Sequence, residues 1–560
     1  MISGSIRFTN PLTHKLEIEL RFPCLEIEEF SFFIPLWRPG RYETADYSKN
    51  LSITSIENEN GDKLETKRLT SNQWIADTSS SHECRISYTY FAHTMDAGNS
   101  FFDEQLIYIN FINCLLGGEQ LMDESITLSL DIPESYKTAC ALPLTQGAIS
   151  ASDYHELVDS PFVACSELKI LSYASGEAQF KIAIQGNCPL SDEEIIADFE
   201  KFTLDQVQKM EEFPTTNYLF IIHSLDYKHY HGVEHQNSTV LVLGPNSEET
   251  KEKYREDLLG VASHELFHTW NVTRIRPKEM SPYHYHHEIN FGTGIVAEGF
   301  TTYFGDWFLK TSGVFTLEEY LAELSKLCER HFGNFGRRRA SLIESSHRLW
   351  LDGYKNVSPS QKVSIYVKGA LSSLILDLEI RKTTNHQKNL LGVVREMHRD
   401  YTYEKGGYSW ADVKKLFLNI DKSILTLAEK LAESTDPIEE YLIRTLAYAG
   451  LELQAKNHKN AITAITGLQL QDSTVTDVSQ LSPLIDQVSV GDKIEAINNV
   501  AFEPNQIIDH VSELDLIRNG RQIKIETNLT KALAGLAFDI KLRPESKAPE
   551  SEFRNEWIGD

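Results

Sequence analysis

No stretch of the chain is apolar for long enough to span a bilayer. The amino end, Met1-Ile-Ser-Gly-Ser-Ile-Arg-Phe-Thr-Asn10, lacks the basic start and apolar run of a secretory leader. These absences predict a cytoplasmic protein with no membrane partner. Excess positive charge is missing too: 54 Lys+Arg stand against 81 Asp+Glu, a formal net charge of −27. Such a field repels phosphate backbones, which excludes nucleic acid as a partner. Cysteine is sparse and odd in number, with Cys24, Cys84, Cys114, Cys140, Cys165, Cys188 and Cys328 widely spaced and no Cys-x-x-Cys. That excludes a zinc ribbon or a dithiol redox pair and predicts free buried thiols in a reducing compartment. Internal repeats and extended low-complexity tracts are absent, and 560 residues exceed one typical domain.

What is present changes character along the chain. Up to about residue 185 short β-branched or alternating runs recur between turn residues, as in Lys15–Phe22, Cys84–Phe91, Gln105–Phe111, Ser125–Ile132 and Ala178–Ile184. This pattern predicts an antiparallel all-β domain, with Pro35-Leu-Trp-Arg-Pro-Gly-Arg-Tyr42 as a rigid turn anchoring one sheet corner. At Ser191-Asp-Glu-Glu194 a capping box opens a run of helical period, and a domain boundary is placed just before it. Two strand-like runs follow at 218–222 and 238–243, and helices dominate from 251 to 450. The polar stretch 452–460 reads as a linker, short strands return after it, and 546–560 reads as a mobile polar tail.

The chemistry concentrates in His264-Glu-Leu-Phe-His268. Positions four apart share a helix face, so His264 and His268 can hold one metal ion while Glu265 lies beside the opening as a general base. The plain alternative is a solvated helix with two surface histidines. A zinc site of this kind takes a third ligand from another element and keeps one position for water. Glu298 stands in an apolar, helix-compatible run, where metal ligation would offset the cost of burying a carboxylate. The alternative is a glutamate on the wet side of an amphipathic helix.

Several segments together resemble the glycyl aminopeptidase family of gluzincin zinc metallopeptidases. They are Trp270-Asn-Val-Thr-Arg-Ile-Arg-Pro277 after the histidines, Val296-Ala-Glu-Gly-Phe-Thr-Thr-Tyr303, Gly336–Ser346, Val363–Leu371 and the Pro35–Tyr42 turn. The resemblance implies one zinc ion per chain held by His264, His268 and Glu298, inside a thermolysin-like catalytic domain. The interval from His268 to Glu298 is longer than thermolysin-like patterns have, and the insert holds rival histidines in Tyr283-His-Tyr-His-His287. Thr302 stands where thermolysin-like enzymes carry an aspartate, leaving Asp306 as the candidate to orient a ligand histidine. Tyr366, in a segment similar to the catalytic-tyrosine segment of alanyl aminopeptidase relatives, is the implied oxyanion donor. Gly232, Glu234 and His235 lie between two strands, as does the amine-binding motif of those relatives, with spacing one residue shorter; Glu234 would bind the free α-amine. The alternative is that Glu234 and His235 merely close a hairpin.

The carboxy-terminal strands resemble a PDZ domain, with Gly467, Leu468 and Leu470 in the carboxylate-binding loop and Leu484–Val488 as a departure from the pattern. The expectation is a multidomain α+β protein. It has an amino-terminal β-sandwich-like domain (1–187), a mainly helical catalytic domain (188–452), a PDZ-like β domain (453–545) and a tail (546–560). Its expected function is zinc-dependent removal of amino-terminal residues, Gly or Ala by the resemblance, from peptides with a free amino end; the PDZ-like domain either captures a protein carboxy terminus by strand addition or only packs against the enzyme. Two rivals stand beside it: a PDZ-assisted endopeptidase, and a non-catalytic peptide-binding protein, against which an intact Glu265 argues.

Overall fold

Lys15–Pro23 and Glu83–Phe91 bury every second side chain, and this alternation sets their antiparallel register, Lys15 opposite Phe91 and Pro23 opposite Glu83. They are neighbours in a seven-stranded sheet whose central strand is Ile2–Arg7, and Phe22, Phe30, Phe32 and Trp74 pack among the residues of its core. The computed structural model describes residues 1–24, 26–354, 360–456, 458–504, 506–533, 537–545 and 547–559. The chain divides into two compact units, residues 1–289 with 402–407 and residues 290–401 with 408–560.

In the first unit the expected strand at 105–111 is shortened to Ile107–Ile109 and runs into the helical turn Phe111–Cys114. The cause is Asn110, whose amide donates to the carbonyls of Ala97 and Asn99 and to the Tyr108 hydroxyl, drawing the chain out of the ladder. The boundary expected at 187–188 falls inside one sheet. Ala178–Gly186 pairs in parallel with Asn217–Ser224, which pairs in parallel with Ser238–Gly244; the antiparallel strand His229–Glu234 forms the edge. Leu106, Tyr108 and Val163 share one buried cluster with Leu219, Val233 and Val240, so no solvent layer parts the two sides of that boundary. The helix Asp192–Met210 starts at the predicted capping box, with Ser191 and Glu194 each accepting from the other's backbone N–H. The 283–287 insert is a strap in this unit: Trp37 Nε1 donates to the His284 carbonyl at 2.9 Å, and Tyr285 is buried in the amino-terminal core.

The second unit is helical up to residue 450. Leu317–Phe332 opens on a capping box formed by Thr316 and Glu319, and Val367–Thr383 is buried on nearly every face. The stretch read as a linker begins with a strand, Leu451–Ala455, paired antiparallel with Phe538–Leu542. Six further strands, Leu468–Gln471, Thr474–Val478, Lys493–Ile497, Val500–Ala501, Val511–Arg518 and Arg521–Leu529, form an antiparallel sheet over Leu468, Leu484, Leu514 and Ile525. The expected mobile tail is a helix, Ala548–Ile558. Its Trp557 is 1 % exposed, donates Nε1 to the Tyr303 hydroxyl at 2.9 Å, and offers its carbonyl to Trp307 Nε1 at 3.1 Å. Polar composition hid three apolar side chains, Phe553, Trp557 and Ile558, that share one buried face.

All seven cysteines are free, five buried and two half-buried, and burial pushes the Cys24 thiol up to about 12. Among the described residues no helix is long and apolar enough to cross a membrane. Because the Trp557 side chain combines full burial with a hydrogen bond to Tyr303, Trp557→Ala is expected to cost about 3–5 kcal/mol in urea denaturation. A change under about 1 kcal/mol would show that the helix is not part of the folded core.

Candidate metal centre

The helix Lys251–Phe267 ends on the His-Glu-x-x-His segment, with His268 as its cap. The four-residue spacing stacks the two imidazoles on one face, with Nε2 atoms 3.0 Å apart and ring planes at 82°. His268 is 2 % exposed, and its Nδ1 lies 2.5 Å from the Asn271 carbonyl. A carbonyl only accepts, so the proton sits on Nδ1 and the Nε2 lone pair faces His264. Burial and the neighbouring His268 hold His264 well below the ordinary imidazole range, which keeps it neutral. Two neutral nitrogens facing one another at this distance suit a shared cation, and imidazole with carboxylate suits zinc. The run after the histidines has a mechanical role: Arg274 NH1 donates to the Thr269 carbonyl at 2.8 Å and to the Gln236 carbonyl at 2.9 Å, tying the helix end to the turn that follows Glu234.

That turn ends the edge strand His229–Glu234. A Cβ on Gly232 would stand 2.6 Å from Val261 Cγ2 and 2.8 Å from Glu265 Cδ, so only glycine lets this strand lie against the helix. The close approach gathers Glu234, Glu265 and His268, each offering a ligand atom within 4.8 Å of the others. Glu234 and Glu265 are each 5 % exposed. Two buried carboxylates held this close favour a cation between them. The backbone closes the hairpin, His235 N–H donating to the Ser238 carbonyl at 2.9 Å, which leaves the Glu234 side chain for the site.

Sequence reasoning missed the support around this group. Asp159 accepts from Gln236 N–H at 2.7 Å and lies 3.0 Å from His235 Nδ1. A cavity of about 360 Å³ borders Glu234, Asp159 and Arg276, and the Arg276 guanidinium is sandwiched between the rings of Tyr283 at 3.8 Å and Tyr403 at 4.6 Å. The side chains of His284, His286 and His287 join no metal-holding group among the described residues.

In the second unit Glu298 is 2 % exposed on a π-helical turn, Ile295–Phe300. A Cβ on Gly299 would meet Gly369 Cα at 2.7 Å, so this turn lies backbone to backbone against the helix Val367–Thr383. Tyr366 immediately precedes that helix, its hydroxyl 2.9 Å from the Tyr354 hydroxyl. Asp306 does not serve as the expected orienting group: its charged neighbours are Glu323 and Lys326, and burial first, then Glu323, lifts its carboxyl to about 8. The acceptor that orients His268 is the Asn271 carbonyl, which residue identity cannot reveal. Gly467, at φ +71°, turns the helix Ala461–Thr466 into the strand Leu468–Gln471; Leu468 is fully buried and Leu470 packs against the same core.

Residues 4–166 match the Peptidase M61 N-terminal domain, and residues 257–372 match the M61 glycyl aminopeptidase domain. A search of curated proteins finds no match. Among solved structures, an aminopeptidase N family protein from Idiomarina loihiensis shares the fold with a TM-score of 0.89 at 23% identity, covering 100% of both chains. A variant of an M1 zinc metallopeptidase from Deinococcus radiodurans, bound to a Tyr-Ser-Ala substrate, gives a TM-score of 0.50 at 11% identity over 78% of this chain and 94% of that one.

The position of Asp306 generates a pH prediction. Its unfolded carboxyl ionises near 3.8 and its folded one near 8, so between these values the folded state holds an extra proton and stability is lost as pH rises. Asp306→Asn removes that loss. Its stability in urea is expected to gain on the wild type from pH 5 to pH 8, and parallel curves would place the carboxyl in an ordinary environment.

Proposed function

We propose that this chain, which carries both the M61 amino-terminal domain and the M61 glycyl aminopeptidase domain, is a zinc aminopeptidase acting on peptides with a free amino end. The observation that carries the reading is the grouping of Glu234 and Glu265 with His268. One carboxylate beside a metal-binding imidazole serves a general base; a second, on the edge strand, serves an incoming ammonium group.

The ligands in this reading are His264, His268 and Glu298, and their chemistry, two neutral imidazoles and a carboxylate, fits a single Zn2+. Zinc bound there supplies an acidified water at neutral pH. Glu265 would act as the general base, holding the proton released when the peptide carbonyl is attacked and delivering it to the leaving amine. Tyr366 donates its hydroxyl hydrogen to the developing oxyanion, and the Tyr354 hydroxyl, 2.9 Å from it, would then be the donor of their shared hydrogen bond. Glu234 pairs with the α-ammonium, so a blocked amino end loses the charge contact. Among the described residues the His229–Glu234 strand is the last of its sheet, the position at which a peptide backbone would add as a further strand. His235, held by Asp159, faces the same region. Small amino-terminal residues, glycine and alanine, are the expected substrates.

The carboxy-terminal sheet is read as PDZ-like, with Gly467, Leu468 and Leu470 at the start of a strand that, among the described residues, pairs on one side, with Thr474–Val478. That leaves an edge for a protein carboxy terminus. Seven free cysteines accord with a cytoplasmic setting.

The test is hydrolysis of alanyl and glycyl p-nitroanilides against their amino-acetylated forms. Cleavage of the free-amine compounds alone is expected, abolished by a zinc chelator and restored by Zn2+. Glu265→Gln should retain zinc and lose roughly 10²–10⁴-fold in kcat, and Tyr366→Phe roughly 10²–10³-fold. Equal cleavage of acetylated substrates would establish an endopeptidase instead. Inactivity on every peptide with zinc bound would leave a binding protein.

A further inference from the structure

On sequence alone the Pro35–Tyr42 turn reads as the anchor of a sheet corner. Its surroundings assign it more. Gly40 has φ +79°, and a Cβ built on it would stand 2.9 Å from Glu234 Cδ and 3.0 Å from Oε1, nearer still to Oε2. No side chain at position 40 is compatible with Glu234 where it lies. We propose that this turn is the rear wall of the amine site, with Gly40 as a positioning residue that fixes the Glu234 carboxylate. The amino-terminal domain thereby takes part in selecting free amino ends. The inference rests on the aminopeptidase reading.

The turn can do this only if it is itself immobile, and three contacts make it so. Trp37 is fully buried and donates Nε1 to the His284 carbonyl at 2.9 Å. Leu36 is tied at both backbone groups, its N–H to the Tyr285 carbonyl at 2.7 Å and its carbonyl to the Ala45 N–H at 2.9 Å. Arg38, 5 % exposed, lays its guanidinium directly against Gly98, where a Cβ would overlap it, and points NH2 at His231 Nε2, 3.4 Å away. His231 belongs to the same edge strand as Glu234, so Arg38 fastens the turn to the strand whose carboxylate it braces. Burial and the Arg38 charge keep His231 neutral, able to accept from that guanidinium.

Beside the turn Glu234 has little room to shift. The cavity shared by Arg38, Pro39, Glu234 and His235 measures about 10 Å³, room for one water and no more. A methyl group at position 40 therefore drives the carboxylate toward Glu265 or out into the larger cavity, and either movement spoils its pairing with an ammonium group. Misplacement by about 1 Å is enough to matter at a site of this kind.

The experiment is steady-state kinetics of the zinc-loaded full chain on alanyl p-nitroanilide, comparing wild type, Gly40→Ala, Glu234→Ala and the double variant. Gly176→Ala is the control for backbone strain, since Gly176 has φ +60° with nothing within 4 Å of its Cβ position. Gly40→Ala is expected to raise KM roughly tenfold or more with a smaller change in kcat, and to add nothing in the Glu234→Ala background. Gly176→Ala should change neither constant. Full additivity with Glu234→Ala, wild-type kinetics in Gly40→Ala, or an equal loss in Gly176→Ala would overturn the proposal. Should Gly40→Ala fail to fold by thermal melting, Arg38→Gln, which releases the clamp, replaces it with the same expected KM rise and the same non-additivity; additive behaviour overturns the proposal there too. A wild type inactive on the free-amine substrate sinks the aminopeptidase reading, and the role of Gly40 with it. That outcome is seen without any variant, so the two failures are distinct.

Discussion

The close approach of an edge strand to the histidine-bearing helix is the constraint on which the first unit's chemistry depends. A β-strand and a helix usually stand apart by the thickness of their side chains. Here Gly232 removes one of those side chains at the point of contact, and the strand comes near enough for Glu234 to join Glu265 and His268. Electrostatics opposes this gathering, because like charges in a buried site repel. The arrangement persists because rigid backbone surrounds it: the hairpin closed by His235 and Ser238, the Arg274 tether to the helix end, and the glycine turn behind Glu234.

The second unit solves a related problem by the same device. Gly299 and Gly369 bring a π-helical turn and a long buried helix into backbone contact, which fixes Glu298 on one and Tyr366 at the start of the other within a single rigid piece. In both units glycine acts by absence, and the side chains that matter are placed by what has been left out between the elements carrying them.

This explains which features were legible in the sequence. The His264–His268 spacing, the Ser191 capping box and the alternation of Lys15–Pro23 are local patterns, complete within one turn or one strand, and each reads directly. Features that depend on a distant partner did not read. Leu451–Ala455 is a strand because Phe538–Leu542 lies beside it, and nothing within its own residues says so. The parallel pairing of Ala178–Gly186 with Asn217–Ser224 joins segments that a helix separates, so a change of pattern between them looked like a boundary. The helix Ala548–Ile558 hid because its burying face is only three side chains wide. Backbone carbonyls such as that of Asn271 carry no residue-type signal at all.

The π-helical turn at Ile295–Phe300 has a consequence for how such a chain can vary. A π turn holds one residue more than the α turn it replaces, and each residue advances a helix face by about 100°. Removing a single residue from this turn would restore regular helix and swing Glu298 to a different side, while every amino acid that remained was unchanged. Insertions and deletions here are therefore not neutral adjustments of length. They act as a rotation of the carboxylate, and the number of residues between Gly294 and Thr301 decides where the glutamate points.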